Sequence, residues 1–205
     1  ALGGNPDSFE EKGLHLNATG GIQASVDMTI GANRGLYVSA NAKITVDSGS
    51  TLTIPGTFNF SGSSFTLTKA GEGTLKLSGG LADSGTMGKF AVSGGLVFIS
   101  GKTASEMADY YDSTSVSAYD TSSGVWLYPA SSSLVASVEI NNETVQFTSL
   151  AGAMSAANGG SVTMLADVSD NVTIPAGVSV NFSFAAGGTY SFTGTITAAD
   201  GTTVT

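Results

Sequence analysis

The chain has no cysteine, so neither a disulfide framework nor a thiolate metal site can form. Only seven residues are Lys or Arg, and they are scattered singly along the chain, against sixteen Asp and Glu and a net charge of −9. Because phosphate binding needs a basic stripe, nucleic acid is not an expected partner. No apolar run approaches the roughly 20 residues that span a bilayer. The sequence therefore predicts neither a nucleic-acid-binding protein nor a membrane span.

Gly, Ser and Thr dominate the composition, yet 41% of the chain is hydrophobic and only 11% is charged. A disordered chain would have fewer apolar residues and more charge. The apolar residues are mostly Val, Ile, Leu and Phe in short runs separated by turn formers, which is typical of many short strands. The sequence thus predicts an all-β fold. Low charge, abundant Ser and Thr, no Cys and a single His suit a protein that works outside the cell or on its surface.

Four eight-residue blocks can be stacked between residues 28 and 59, namely MTIGANRG, LYVSANAK, ITVDSGST and LTIPGTFN. Each block opens with two apolar residues that flank an outward residue and then continues into turn formers. The pattern continues less regularly to residue 98. The inward pairs that it predicts are Met28/Ile30, Leu36/Val38, Ile44/Val46, Leu52/Ile54, Phe58/Phe60, Phe65/Leu67, Leu75/Leu77, Phe90/Val92 and Leu96/Phe98.

Strands of three or four residues at such short intervals are shorter than those of ordinary hairpin sandwiches, but they can form the sides of a coil. In a parallel β-helix each coil has two or three sides, and its inward residues stack on those of the next coil. We therefore expect a parallel β-helix or β-solenoid, with an antiparallel β-sandwich or barrel as the alternative.

The runs FTLTKAGEGTLKLSGG and KFAVSGGLVFISG, within residues 65–101, resemble the autotransporter-associated β-strand repeat. The residues that match its K-x-G-x-G-T-L-x-L-x-G pattern and its later G-x-L element are Lys69, Gly71, Gly73, Thr74, Leu75, Leu77, Gly79, Gly95 and Leu96. The usual asparagine-tyrosine stretch is missing, and the chain holds one copy. The resemblance implies coils of a right-handed β-helix like those of bacterial surface proteins.

Three regions are expected along the chain. Residues 1–101 form a first solenoid module with eight-residue repeats, and residues 102–133 a Tyr- and Ser-rich connection that is partly ordered. Residues 134–205 form a second solenoid-like module, which opens with a strand, a turn at Asn141-Asn142 and a second strand.

One short helix is predicted near residues 149–158, with Ser149 as its N-cap and Asn158-Gly159-Gly160 as its stop. The inward positions at helical spacing are Leu150, Ala153, Met154 and Ala157. This helix, followed by the short strands of residues 161–198, resembles the N-terminal cap of pectate-lyase-like β-helices, which covers the edge of the first coil. No closing cap is visible at ADGTTVT, so we expect either a longer solenoid or an end covered by another molecule.

Residues suited to catalysis are scarce. Arg34 is the only arginine, His15 the only histidine, and Asp167 with Asp170 the only acidic pair near a strand end in the second module. A polysaccharide lyase needs a base beside carboxylates, and a hydrolase needs paired carboxylates. Turn acids on a solvated edge explain the aspartates more simply. We expect no catalytic site, no metal site and no cofactor.

An aromatic group in the connection is the best binding candidate, since exposed rings can stack on sugar faces. Its members are Tyr110, Tyr111, Tyr119, Trp126 and Tyr128. The alternative is that these rings cover a solenoid flank or fill a joint. Five sequons permit glycosylation without predicting it, at Asn17, Asn59, Asn142, Asn171 and Asn181.

Together these observations predict a non-enzymatic extracellular protein, a surface fibre subunit or adhesin segment that self-assembles end to end. Its expected partners are further copies of itself, or a glycan or protein receptor on a surface. The alternatives are a glycan-binding or polysaccharide-cleaving β-helix module and a phage tail-fibre segment.

Overall fold

The computed structural model describes residues 4–17, 20–62, 64–82, 88–157, 160–174, 181–185 and 189–198. It divides into two compact units, Ala1–Ser131 and Ser132–Thr205. Short strands are the main secondary structure of the described residues, the strands of successive coils pair in parallel as in a β-solenoid, and one α-helix occurs among the described residues. This confirms the expected all-β solenoid with a short helix, and the antiparallel sandwich considered as its alternative is wrong.

Unit 1 is built from thirteen strands among its described residues. They are β1 (Glu10–Leu16), β2 (Gly21–Ala24), β3 (Met28–Thr29), β4 (Arg34–Val38), β5 (Ala42–Val46), β6 (Thr51–Ile54), β7 (Phe58–Phe60), β8 (Thr66–Ala70), β9 (Thr74–Leu77), β10 (Lys89–Val92), β11 (Leu96–Ser100), β12 (Val116–Asp120) and β13 (Gly124–Pro129). A 3₁₀ turn spans Ala108–Tyr110.

These strands form three sheets. Sheet A has the order β1-β4-β7, sheet B the order β10-β8-β5-β2, and sheet C the order β12-β13-β11-β9-β6-β3. Each of the first three coils contributes one strand to each sheet, and the fourth contributes β10 to sheet B, β11 to sheet C and an isolated bridge from Leu81 to Phe58 of sheet A. The strands of successive coils pair in parallel. Unit 1 is therefore a three-sided solenoid.

The eight-residue blocks are neighbouring sides of one coil, and the repeat that stacks is about three blocks long. Leu36 pairs with Phe58, 22 residues further on, and Met28 pairs with Leu52, 24 residues further on. A block lies beside the next block around the coil, since β4, β5 and β6 belong to three different sheets. The sequence period thus gave the length of a side, and the pairing gives the length of a coil.

The core of unit 1 is a column of inward side chains, and the predicted alternation is correct over most of its length. Leu36, Val38 and Ile44 are fully buried, as are most of their counterparts in later coils. The pair predicted at β11 is wrong: Val97 and Ile99 belong to the core cluster instead of Leu96 and Phe98. Both faces of LVFIS are apolar, so alternation cannot show which face is buried. The pairing of Val97 with the inward residue Leu75 decides that Val97 and Ile99 point inward.

The sequence suggested that residues 102–133 were a partly ordered connection, but all of them up to Ser131 belong to unit 1. Met107 and Val116 are buried in its core cluster, and the hairpin β12-β13 extends sheet C by antiparallel pairing to β11. The turn that carries Met107 is held by Thr103 and Glu106, whose side chains each accept the other's backbone N–H. The hydrogen bonds that the backbone N–H and the hydroxyl of Thr103 donate to the Glu106 carboxylate lower the pKa of that carboxyl. The segment therefore closes one end of the coil stack.

Unit 2 contains the strands β14 (Ala136–Ile140), β15 (Glu143–Phe147), β16 (Ser161–Met164), β17 (Val172–Ile174), β18 (Asn181–Phe184) and β19 (Ile196–Ala198). Sheet D has the order β15-β14-β16-β18, and sheet E pairs β17 with β19. The predicted hairpin is present, with positive φ at Asn141 and Asn142. Parallel pairing, as in unit 1, joins β16 to β18 and β17 to β19.

Helix α1 (Leu150–Ala157) lies where the sequence predicted it and packs against strands β14 to β17. Ser149 acts as its N-cap, because its Oγ accepts the backbone N–H of Gly152 at 3.2 Å. Leu150, Ala153 and Met154 are buried. Of the predicted stop, Asn158 and Gly159 lie outside the described residues.

Candidate functional site

The predicted aromatic group separates into two sets in the structure. Tyr110 and Tyr111 are half-buried and pack against the core cluster of unit 1. Tyr111 also forms a parallel bridge with Phe90 on the last strand of sheet B. These two rings therefore help to close the end of the coil stack of unit 1.

The second set is a row of rings on the outer face of sheet C. Pairing across β11, β13 and β12 brings Phe98, Trp126 and Tyr119 side by side. The ring centroids of Phe98 and Trp126 lie 4.8 Å apart, and Tyr119 stacks nearly parallel to Trp126 at 6.3 Å. Tyr128 lies 6.1 Å from Tyr119.

Only part of this aromatic row is accessible to a ligand. Trp126 is 3% exposed, and its indole Nε1 has no hydrogen-bond partner among the described residues. Tyr119 and Tyr128 are half-buried, so part of each side chain faces solvent. A sugar ring would thus meet the two tyrosines, with Trp126 supporting them from within the row.

Sequence reasoning missed the most unusual polar residue, Lys69, which is fully buried. The alternation that buries Leu67 also turns Lys69 inward two residues later. Its Nζ donates hydrogen bonds to the carbonyls of Ala70 (3.0 Å), Gly71 (2.7 Å) and Gly94 (3.1 Å). The three N–H bonds of an ammonium match these three acceptors. Burial lowers the pKa of Lys69 to about 8, and the charge of Glu72 acts in the opposite direction.

The glycines that follow Lys69 explain the spacing of the K-x-G-x-G stretch. Gly71 has φ +75°, a left-handed conformation that frees its carbonyl to turn towards the ammonium. A Cβ at Gly73 would lie 2.3 Å from the carbonyl oxygen of Asp47 in the preceding coil. Lys69 and Gly94 belong to successive coils, so the motif fastens two coils together at one corner. The signal in the sequence was a lysine at an inward position, directly before a glycine corner.

Asp167, one of the two weak catalytic candidates, is part of a bonding pattern found in both units. Its Oδ1 accepts the backbone N–H of Ser191, 24 residues further on. Asn171 accepts the N–H of Thr195 in the same way, again 24 residues on. The same bond joins two pairs in unit 1, Asp27 to Thr51 and Asn41 to Thr66. These side chains therefore act as acceptors for the next coil. Asp170 is exposed.

His15 and Arg34 likewise bond within or between coils. His15 Nε2 lies 2.7 Å from the Oγ of Ser39 in the next coil. Arg34 donates from its guanidinium to the carbonyls of Gly13 and Gly4. Neither side chain converges with an acidic pair among the described residues, and no group of three or more His, Asp or Glu suited to a metal ion occurs there.

The sequons differ in accessibility. Asn59 is buried, and its Nδ2 donates to Glu11 Oε1 at 2.9 Å, so its amide is not exposed for glycosylation in the folded chain. The other four asparagines are exposed, namely Asn17, Asn142, Asn171 and Asn181.

In the part of the chain that the structure describes, no helix has the length and apolar character required to cross a membrane. No protein-family model, curated protein or solved structure matches the chain. The resemblance to the autotransporter-associated repeat therefore stays a prediction, to which the geometry of the Lys69 corner adds a physical reason for the motif.

Proposed function

We propose that this chain is a structural protein of a cell surface, a fibre subunit or adhesin segment whose solenoid presents contact surfaces. The observation that supports this best is how the polar side chains are used. The partners of His15, Asp27, Asn41, Lys69 and Asp167 include groups one coil away. Groups that an enzyme would gather at one site instead join successive coils.

The composition supports an extracellular location. The chain combines a net charge of −9, no cysteine and abundant Ser and Thr. In the solenoid, the inward positions take the apolar residues, and the Thr residues of β5, β6 and β8 occupy the outward positions between them. A fold held by packing and hydrogen bonds needs no thiol chemistry or metal to persist outside the cell.

End-to-end contacts are the proposed means of assembly. Strands β1, β2 and β3 each pair on one side only among the described strands. An unpaired strand edge can accept a further strand, and contacts between different ends of identical molecules build an open filament.

Electron microscopy and light scattering of the protein from its native source, with immunogold labelling of intact cells, test this proposal. Surface label together with regular filaments is the expected outcome for a fibre subunit. Surface label with uniform monomers would remove the fibre and leave an adhesin. Label confined to the cell interior would contradict the proposal as a whole.

A glycan-binding role is the second candidate, and the outward row containing Tyr119 and Tyr128 favours it. A glycan array with wild type and Tyr128→Ala tests it. If the row binds sugar, the variant is expected to bind roughly 5- to 30-fold more weakly, since one ring–sugar stack contributes on the order of 1–2 kcal/mol. Tyr37→Ala, on the outer face of sheet A, is the matched control and should bind as wild type does. Equal binding by all three proteins would exclude the row.

A further inference from the structure

The outward positions of sheet C carry one cation and no anion, although the chain has a net charge of −9. The six strands of this sheet hold two charged residues, Lys76 on β9 and Asp120 on β12. Lys76 alternates with two leucines of the core cluster, so its side chain points outward. Asp120 pairs with Val125 of the core cluster and faces the other way, where its Oδ1 accepts the backbone N–H of Ala104.

Lys76 stands in line with the aromatic row on this face. It pairs with Phe98, and the pairing continues from there through Trp126 to Tyr119. Four neighbouring strands thus place one cation and three rings side by side, at about 4.8 Å per strand. The aromatic row therefore has an ammonium group at one end and a tyrosine at the other.

The groups of this line that reach solvent are at its two ends. Phe98 is 8% exposed and Trp126 is 3% exposed, whereas Tyr119 and Lys76 are half-buried. In the part of the chain that the structure describes, no hydrogen bond or ion pair engages Lys76. Its ammonium group is therefore available to a ligand that also touches the tyrosines.

The length of the line favours an elongated ligand. Three strand spacings separate Lys76 from Tyr119, which is about 14 Å. A single sugar ring stacked on a tyrosine cannot reach the ammonium group, but a chain of several sugars can. Thr53 and Thr29 continue the line beyond Lys76, and their hydroxyl groups can exchange hydrogen bonds with sugar hydroxyls.

We propose that the outer face of sheet C binds an acidic oligosaccharide, with a sugar ring stacked on Tyr119 and Tyr128 and an anionic group, carboxylate or sulfate, bound by Lys76. Stacking provides the contact that any sugar can make, and the ammonium group adds a charge-assisted hydrogen bond that only an acidic sugar can accept. This inference rests on the glycan-binding role, the second candidate function. It specifies the class of glycan and the residue that selects it.

The overall charge of the chain opposes this ligand only at long range. A net charge of −9 repels an anionic glycan, but physiological salt screens that repulsion beyond about 8 Å. An acidic sugar in contact with the line meets the positive charge of Lys76.

Matched pairs of glycans test the inference on the whole chain. A glycan array holds neutral oligosaccharides beside their uronic-acid and sulfated counterparts of the same linkage, and calorimetric titration then gives the affinities for the pair that binds best. Wild type should bind the acidic member roughly 3- to 10-fold more tightly than the neutral one, the effect of one charge-assisted contact at a half-buried position. Lys76→Met should bind both members as wild type binds the neutral one. A preference confined to the uronic-acid or to the sulfated pairs identifies the anionic group.

Two further variants separate the local charge from its other effects. Lys76→Arg keeps the charge and should retain the preference. Lys43→Met removes the same charge at an exposed outward position of sheet B and should bind as wild type does. Circular dichroism and thermal midpoints check that every variant is folded.

Equal affinity of wild type for the acidic and neutral members, with binding weakened in Tyr128→Ala, would overturn the inference and leave a row that binds sugar regardless of charge. A preference for acidic glycans that persists in Lys76→Met would also overturn it. If wild type bound no glycan on the array, both the glycan-binding role and this inference would be excluded. Surface localisation and filament formation test the leading proposal independently of these outcomes.

Discussion

At the scale of the residue, Lys69 places a titratable group inside the solenoid. Its ammonium is bound by three carbonyl oxygens, two at its own glycine corner and one from the next coil. Two opposing effects determine how much Lys69 contributes to the free energy of unfolding. Burial of the charge costs about 3 kcal/mol, from a pKa shift of 10.5 to about 8, while three unsatisfied carbonyls would cost roughly 1 kcal/mol each. At neutral pH we expect Lys69→Met to change the free energy of unfolding by less than about 1 kcal/mol.

The dependence of stability on pH is therefore the informative measurement at Lys69. Below pH 8 both the folded and the unfolded chain hold this proton, so it contributes no slope. Between about 8 and 10.5 the folded chain has lost the proton that the unfolded chain retains, and the free energy of unfolding rises by up to about 3 kcal/mol. Urea denaturation across this range should show the rise in wild type.

Two variants isolate the contribution of Lys69. Lys69→Met should lack the rise, because it has no titrating amine at the buried position. Lys76→Met, at a half-buried outward position of β9, should retain it. A rise of equal size in Lys69→Met would assign the slope to other groups.

At the scale of the element, short strands are held in register by side chains placed where each strand begins or ends. Asn41 stands directly before β5, and its Oδ1 accepts the N–H of Thr66, the first residue of β8 in the next coil, at 2.9 Å. Asn171 likewise stands directly before β17, and its Oδ1 accepts the N–H of Thr195, which stands directly before β19. An asparagine or aspartate at this position accepts a hydrogen bond from a backbone N–H that the strand pairing does not satisfy.

We expect Asn41→Ala to lower the free energy of unfolding by about 1 kcal/mol, the typical cost of losing such an acceptor. Asn41→Asp keeps an acceptor oxygen and should recover most of the loss. Denaturation midpoints of the two variants and wild type provide the comparison. Equal losses in both variants would show that the amide nitrogen or the packing of Asn41, and not its acceptor oxygen, is what matters.

At the scale of the whole molecule, the structure divides the chain at 131/132, which is 30 residues beyond the end of the repeats seen in the sequence. Met107 and Val116 fill the core of unit 1 beyond the strands of the last regular coil, and Val125 and Leu127 continue it on the added hairpin. Without them the apolar end of this coil would be exposed to water, at about 25 cal/mol per Å² of apolar surface.

We therefore expect a fragment of residues 1–131 to unfold cooperatively with a β-type circular dichroism spectrum. A fragment of residues 1–101 is expected to aggregate or to lack a cooperative transition, because it has the strands of the coils but not the residues that close them. Thermal melts and light scattering of both fragments provide the measurement. Cooperative unfolding of 1–101 at the same midpoint as 1–131 would show that the closing segment is dispensable.

The sequence by itself determined the class of fold, the positions of most strands, helix α1 with its Ser149 cap and nearly all of the inward residues. Alternation of apolar and outward residues reports directly which side of a strand is buried, and glycine, asparagine and aspartate mark the turns. These are local properties, so a single sequence contains them. The alternation at Leu96 to Ile99 failed because both faces of that strand are apolar.

Only the tertiary structure decided which strands pair and what the polar residues do. The number of sides in a coil depends on contacts between residues 22 to 24 positions apart, and eight-residue periodicity is compatible with two or three sides. The same distance in sequence separates Asp167 from Ser191, and 25 positions separate Lys69 from Gly94. Their roles depend on a partner in the next coil, and the residue types alone do not identify that partner. The division of the aromatic group into a closing set and an outward row was decided in the same way, by strand pairing.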